Sequence, residues 1–272
     1  MSASPTPRPP EEDWLGTPYL RFERRDGIAI VTIDRPEARN AFTGAMYFGI
    51  RYAVERVNQD PSLGGLLLTG VGDVFAPGGD LGHDSGDWWT DFSLFAMDIF
   101  PANAIRESAK PVVCAINGLA QGGGMMISMV ADLSIASDRA SFRCPELFRG
   151  IADTYYAQIL PRQIGPARAR DMLFTGRTLS AGEAAEWGVV ARVVPHDALM
   201  EQALGALHAC IRCAPEARRE VKRVMDDFYG QPRKIEMNTS CFGPEAAEGF
   251  KAFKERRSPT WVPEALQIKG RL

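Results

Sequence analysis

Two short segments hold glycines whose spacing suits holding a polarised carbonyl oxygen on backbone amides. Residues 75–81, FAPGGDL, carry the pair Gly78-Gly79, and residues 122–124 are a glycine triplet. Glycine turns let the backbone approach a ligand closely and leave amide N–H groups unobstructed. Preorganised N–H donors are what a developing oxyanion needs. The triplet follows an apolar run and opens an apolar helical stretch, so free N–H groups and the positive end of a helix dipole converge there. It is neither a dinucleotide fingerprint nor a P-loop, because the G-x-G-x-x-G spacing, a ribose-binding acid and a following Gly-Lys-Ser/Thr are all missing. Taken alone, the glycine pair is also what an ordinary loop contains.

The elements that must position these segments are legible in outline. Tyr19 to Ile33 shows two β-rich runs around Asp26-Gly27, the signature of a hairpin. From Thr43 a helical stretch follows, with Tyr47, Ile50, Val54 and Val57 at spacings of three and four, then an apolar run from Gly65 to Leu68. The alternation repeats through a helical stretch from about Asp91 to Ser108, the run Val112–Ile116, the glycine triplet with a short helix, and Leu133–Ala136. Strands separated by crossover helices imply parallel pairing and an α/β fold. After about Ala198 the β signal vanishes, and residues up to Arg257 read as three helices broken near Pro215 and Gln231-Pro232, either a packing layer or an oligomer arm.

Composition narrows the class. With 272 residues, 45% of them apolar, the chain can bury one large core. A formal charge of −3 creates no global basic field for nucleic acid or an anionic membrane. Five scattered cysteines do not form a disulfide framework, and the lone Cys210-x-x-Cys213 has no second ligand pair at zinc spacing, so neither a metal nor an oxidising compartment is expected. A soluble, cytoplasmic protein is expected, since no stretch approaches the apolar length of a membrane span and the first residues lack a signal-peptide pattern. The Pro- and Ser-rich start reads as a disordered leader over 1–17. Three histidines, with only His83 near a glycine turn, make a Ser-His-Asp hydrolase a poor fit.

Six segments in order, from about Tyr19 to Trp261, resemble the enoyl-CoA hydratase/isomerase (crotonase) superfamily: IDRPEARNAF (33–42), FAPGGDL (75–81), KPVVCAINGLAQGGG (110–124), FRCPELFRGI (142–151), TGRTLSAGEAAEWGVVARVV (175–194) and EGFKAFKERRSPTW (248–261). The resemblance implies a crotonase-like spiral of repeated ββα units over 18–197, with a helical oligomerisation region over 198–272 that assembles trimers or hexamers. It implies an acyl-CoA thioester substrate, coenzyme A being part of the substrate and no separate cofactor being needed. The amides of Gly79 and Gly123 correspond to the family's oxyanion hole. CoA contacts are expected at Arg39 and Ala41 and along Gly78, Asp80 and Leu81, with Lys254 or Arg257 near the CoA phosphates. Met126 and Tyr155 are expected to line the acyl site.

One departure bears on the reaction. Hydratases of the family use two glutamates, one two residues after the triplet and one in the Pro-Glu segment; here the first position is Met126 and the second is Glu146. Water addition asks for an acid and a base, whereas a 1,3-shift of a double bond needs one carboxylate to take a proton from C2 and return it at C4. Isomerisation is therefore the expected activity, with hydration the alternative and a non-catalytic acyl-CoA-binding protein a third reading. Asp153 lies at or within one residue of a second catalytic aspartate of dienoyl-CoA isomerases, an alignment that needs a one-residue deletion; a helix cap before Thr154 is the alternative. The usual Pro-Gly-x-Gly-Gly is replaced by Ala152-Asp153-Thr154-Tyr155-Tyr156, and either tyrosine could donate to substrate or satisfy a backbone carbonyl.

Overall fold

Asp26 and Gly27 both take positive φ, 49° and 76°, the backbone that a two-residue turn needs to match the twist of its strands. They join β1 (Leu20–Arg25) to β2 (Ile28–Ile33), with Arg25 opposite Ile28 and Leu20 opposite Ile33. The computed structural model describes residues 11–80, 101–230 and 233–268. From β2 onward the large sheet is parallel, through β3 (Leu66–Gly70), β5 (Val112–Ile116), β7 (Leu133–Ser137) and β10 (Arg192–Val194), in the order β1-β2-β3-β5-β7-β10. A smaller sheet takes β4 (Val74–Ala76), β6 (Leu119–Gln121), β8 (Ser141–Arg143) and β9 (Leu179–Ser180), in that order.

The chain thus lays one strand in the large sheet, a short strand in the small sheet and then a helix, and repeats. The helices Gly123–Val130 and Thr154–Ile164 follow β6 and β8 in this way. This is the α/β spiral of ββα units that the resemblance implies. Of the helical stretch expected over 91–108, the described part forms a helix at Ala102–Arg106, and residues 91–100 lie outside the described residues.

Strands with both faces covered read as continuous apolar runs, and the burial pattern shows where each face goes. Ala29, Val31, Ile33, Leu66, Leu68, Val112, Cys114 and Ile116 turn into the main core. Their neighbours Ile28, Ile30, Leu67, Val113 and Ala115 form a second core on the opposite face, closed by Leu199, Ala203, Ala206 and Leu207 of the helix Leu199–Ile211. The main core also takes Met46, Ile50, Val54 and Val57 from the helix Gly44–Gln59, whose first turn is capped by Thr43 Oγ1 accepting from the Met46 N–H.

Residues 14–17 pack on the hairpin: Leu15 and Thr17 are buried, and the Trp14 ring meets Phe22 edge-on at 4.9 Å. The disordered leader expected over 1–17 does not extend to them; residues 1–10 lie outside the described residues. The C-terminal region holds four described helices, not the three expected: Leu199–Ile211, Pro215–Tyr229, Lys234–Cys241 and Pro244–Glu255. The additional break falls at Gly243-Pro244, where Pro244, with its fixed φ and missing N–H suited to a first turn, opens the new helix. No helix among the described residues is long and apolar enough to cross a membrane.

Candidate active site

β4 ends in the turn Pro77-Gly78-Gly79-Asp80, which a single parallel bridge fastens to Phe42. The Phe42 N–H donates to Gly78 O at 2.9 Å, and the Asp80 N–H donates to Phe42 O at 2.8 Å. These two bonds flank Gly79, so its own N–H points away from Phe42. Arg35, buried, clamps the arrangement: its Nη1 donates to Asp80 Oδ2 at 2.8 Å and to Ala41 O at 2.9 Å. Asn40, in the left-handed region, accepts from the Arg35 N–H and donates through Nδ2 to Val71 O and Val74 O. Asp80, expected to contact substrate, thus has its carboxylate engaged by Arg35 and holds the loop. Arg39 is exposed beside the half-buried Ala41.

The second glycine turn abuts the first. Gly122, at φ 52°, follows β6 and caps the helix Gly123–Val130. A methyl group at Gly78 would lie 3.4 Å from the Gly123 nitrogen and 3.5 Å from Gly122 Cα. The N–H groups of Gly79 and Gly123 belong to these two touching turns, an arrangement suited to receiving one anionic oxygen between them. Over both lies the Tyr47 hydroxyl, 2.3 Å from where a methyl on Gly123 would sit and 3.8 Å from one on Gly79. Behind them, the Gly122 carbonyl accepts from the Met126 N–H at 3.0 Å and from the Tyr156 hydroxyl at 2.5 Å.

Glu146 begins a 3-10 turn, Glu146–Arg149, just past β8. Its Oε1 would be 3.0 Å from a methyl on Gly122, which puts the carboxylate beside the glycine turns. Part of the residue reaches the surface, but Oε2 is enclosed and has no hydrogen-bond partner among the described residues. Burial holds the carboxyl well above the usual glutamate range; the negative charge of Asp153 adds to the rise, and Arg149 and Arg143 oppose it. Asp153 caps the helix Thr154–Ile164, its Oδ1 accepting from the Tyr156 N–H at 3.1 Å. Burial pushes its carboxyl up to about 6 against those backbone bonds. The cap is therefore formed, and the same aspartate is electrostatically coupled to Glu146.

The C-terminal helices cover this corner from outside. Ser240 Oγ accepts from the Ala152 N–H and donates to Gly150 O, while Thr154 Oγ1 donates to Arg233 O. The helix Pro244–Glu255 lies against the Glu146–Arg149 turn, where the buried Arg149 guanidinium sits 4.3 Å from the centre of the Phe253 ring. Arg257 is engaged by Glu248 and Glu255. Met126 is wholly buried in the main core, and Tyr155 is buried at the start of the Asp153-capped helix. Leu81 and His83 lie outside the described residues.

The family model described as enoyl-CoA hydratase/isomerase matches residues 23–264. The chain belongs to this family. A relative from Mycobacterium bovis named "Probable enoyl-CoA hydratase" is 32% identical over 252 residues, spanning 89% of this chain and 97% of the relative. A carnitinyl-CoA dehydratase from Citrobacter koseri is 32% identical over 255 residues, with the same coverage. The crystal structure of an enoyl-CoA hydratase/isomerase from Pseudoalteromonas atlantica superposes with a TM-score of 0.76 at 29% identity, covering 90% of this chain and all of the other. The chain is thus an acyl-CoA-processing member of the enoyl-CoA hydratase/isomerase family with the crotonase fold. Two features of its site escape sequence reading. Tyr47 reads as one more member of a core stripe, and Arg35 stands 45 residues from the carboxylate it holds.

Proposed function

We propose that this enoyl-CoA hydratase/isomerase family member moves the double bond of an unsaturated acyl-CoA thioester. Glu146 takes the proton from C2 of a 3-enoyl chain, the thioester oxygen of the resulting dienolate rests on the Gly79 and Gly123 N–H groups, and the same carboxyl returns the proton at C4. The observation that carries this reading is the single carboxylate with an enclosed, unpartnered oxygen beside the glycine turns. The place of the hydratases' other glutamate holds the buried, proton-inert Met126. Burial that lifts the Glu146 carboxyl brings its proton affinity towards the working pH, where a proton shuttle is most effective. The exposed Arg39 offers a cation to the CoA phosphates. Five free cysteines suit a reducing, cytoplasmic setting.

Water addition to a 2-enoyl chain is the second reading, favoured by the coupling of Asp153 to Glu146, which offers a second carboxyl group. Turnover of 2-enoyl-, 3-enoyl- and 3,5-dienoyl-CoA by the wild type, Glu146→Gln and Asp153→Asn separates them. Isomerisation lost in Glu146→Gln and kept within about threefold in Asp153→Asn is the expected outcome. Dienoyl turnover lost in both would make Asp153 a catalytic partner, and 2-enoyl hydration that survives Glu146→Gln would remove Glu146 from the mechanism.

The same reading includes a homotrimer or a hexamer of paired trimers. Its support is the helix Pro215–Tyr229, which turns an apolar stripe outward between exposed charged residues while two of its cations face the fold. Arg218 and Lys222 point inward, onto the carbonyls of Cys210 and Ile105, and the Asp226 main chain receives Arg106. The apolar Val221, Val224, Met225 and Phe228 face outward, each about 60% exposed. A stripe of this size is expected to be covered in solution, each buried side chain contributing about 1.5–3 kcal/mol. Sedimentation equilibrium at micromolar concentration should give three or six times the chain mass; a monomer or a dimer would refute the assembly.

A further inference from the structure

We propose that Tyr156 is a positioning residue for the oxyanion hole, its hydroxyl polarising the Gly122–Gly123 peptide so that the Gly123 N–H becomes a stronger donor to the thioester oxygen. This rests on the reading above that the Gly123 N–H receives that oxygen. The Gly122 carbonyl and the Gly123 N–H are the two ends of one peptide group, and a bond accepted at one end strengthens donation at the other. The carbonyl accepts two hydrogen bonds, from the Met126 N–H at 3.0 Å and from the Tyr156 hydroxyl at 2.5 Å. The first belongs to the ordinary helix ladder. The second is supplied across the fold, from the helix Thr154–Ile164, and is the shorter.

Its surroundings make the second bond effective. Tyr156 is completely buried, so its hydroxyl cannot exchange the carbonyl for water, and the low local dielectric strengthens the bond. Burial, with the nearby acidic groups of Cys144, Glu146 and Asp153, holds the phenol well above its ordinary range, so it remains a donor at any working pH. Asp153 fixes the same residue from the other side by accepting the Tyr156 N–H at 3.1 Å. A line of bonds thus runs from the Asp153 carboxylate through Tyr156 to the peptide that carries the Gly123 donor. This gives the Ala152–Tyr156 segment, where the sequence departs from the hydratase pattern, a part in the chemistry.

The test is the thioester carbonyl stretch of a bound, saturated hexanoyl-CoA carrying carbon-13 at that carbonyl, read by difference infrared spectroscopy in wild type and Tyr156→Phe, together with kcat and KM. In the wild type the stretch should fall below its value in water. In Tyr156→Phe part of that shift should be lost, kcat should fall by about 5- to 20-fold and KM should stay within about twofold. Replacing Tyr156 with 3-fluorotyrosine, a stronger donor of nearly the same size, should move the stretch further down; this second arm stands even if Tyr156→Phe folds poorly. A stretch unchanged by both replacements, with kcat falling only alongside stability, would reduce Tyr156 to a carbonyl-satisfying core residue and overturn the proposal. A wild-type stretch equal to that in water would overturn the Gly123 reading itself, which distinguishes the two failures.

Discussion

Glu146→Gln is expected to lower acyl-CoA turnover by about 10²- to 10⁴-fold, the range that a positioned acid–base group supplies, and to make the protein more stable above neutral pH. Both effects come from the burial that enclosed Oε2 and lifted the carboxyl, chiefly by desolvation and then by the charge of Asp153. In the unfolded chain the group has an ordinary value of 4.5. Between that value and the raised folded one, the native state binds more protons than the unfolded state, so stability falls as pH rises through this window. Above the folded value the penalty is complete. Glutamine carries no such penalty, so the variant's melting temperature should match the wild type near pH 4 and exceed it by a growing margin as pH rises towards 8.

The same window sets the pH dependence of catalysis. The base works ionised, so kcat/KM should rise with pH through the raised value, and Asp153, pushed up to about 6, titrates together with it. Removing that neighbouring charge in Asp153→Asn should move the acid limb of kcat/KM to lower pH. Profiles between about pH 5 and 9 for wild type and Asp153→Asn, with thermal melts of Glu146→Gln across the same range, read all three effects. A Glu146→Gln enzyme retaining more than about a tenth of wild-type turnover would exclude Glu146 as the proton carrier.

What the sequence made legible follows from the lengths of the elements. The runs at 28–33, 66–68 and 112–116 are long enough to be read, and their uninterrupted apolar character matches strands that bury Ile30 and Val113 on one face and Val31 and Cys114 on the other. β4, β6 and β8 have three residues each, and β9 two, too few for any period to emerge. Yet these short strands deliver Gly78, Gly122 and Glu146 to one place. The two glycine turns were therefore visible as residues, and Glu146 through the family resemblance, before the sheet that joins them was. Contacts across the fold were not visible: nothing in local spacing ties Arg35 to Asp80, or Tyr156 to Gly122. The break at Gly243-Pro244 went unread, although a Gly-Pro pair is a breaker signal. Met126 was read by alignment, whereas its burial depends on the strands packed around its helix.

Gly123→Ala should be the more damaging of the two conservative changes at the glycine turns. Its methyl would sit 2.3 Å from Tyr47 Oη, 3.1 Å from Cζ and 3.2 Å from Cε1. Tyr47 is 5% exposed and has little room to retreat; its ring leans on Phe42 at 4.8 Å, and the Phe42 main chain carries the bonds that flank Gly79. A shift of Tyr47 therefore disturbs both N–H donors at once. Loss of one such donor costs about 10²–10³ in kcat, and overpacking a buried site costs about 1–3 kcal/mol. Gly79→Ala meets only Tyr47 Oη at 3.8 Å, an ordinary contact, and should keep stability within about 0.5 kcal/mol. The clash is also separable: Tyr47→Phe removes the atom at 2.3 Å and leaves the ring carbons beyond 3 Å. In a double-mutant cycle, Gly123→Ala with Tyr47→Phe should recover about 1 kcal/mol of the stability lost by Gly123→Ala alone. A cycle showing no coupling between the two positions would mean that Tyr47 does not stand over Gly123 in the working protein, and the geometry of the hole would have to be redrawn.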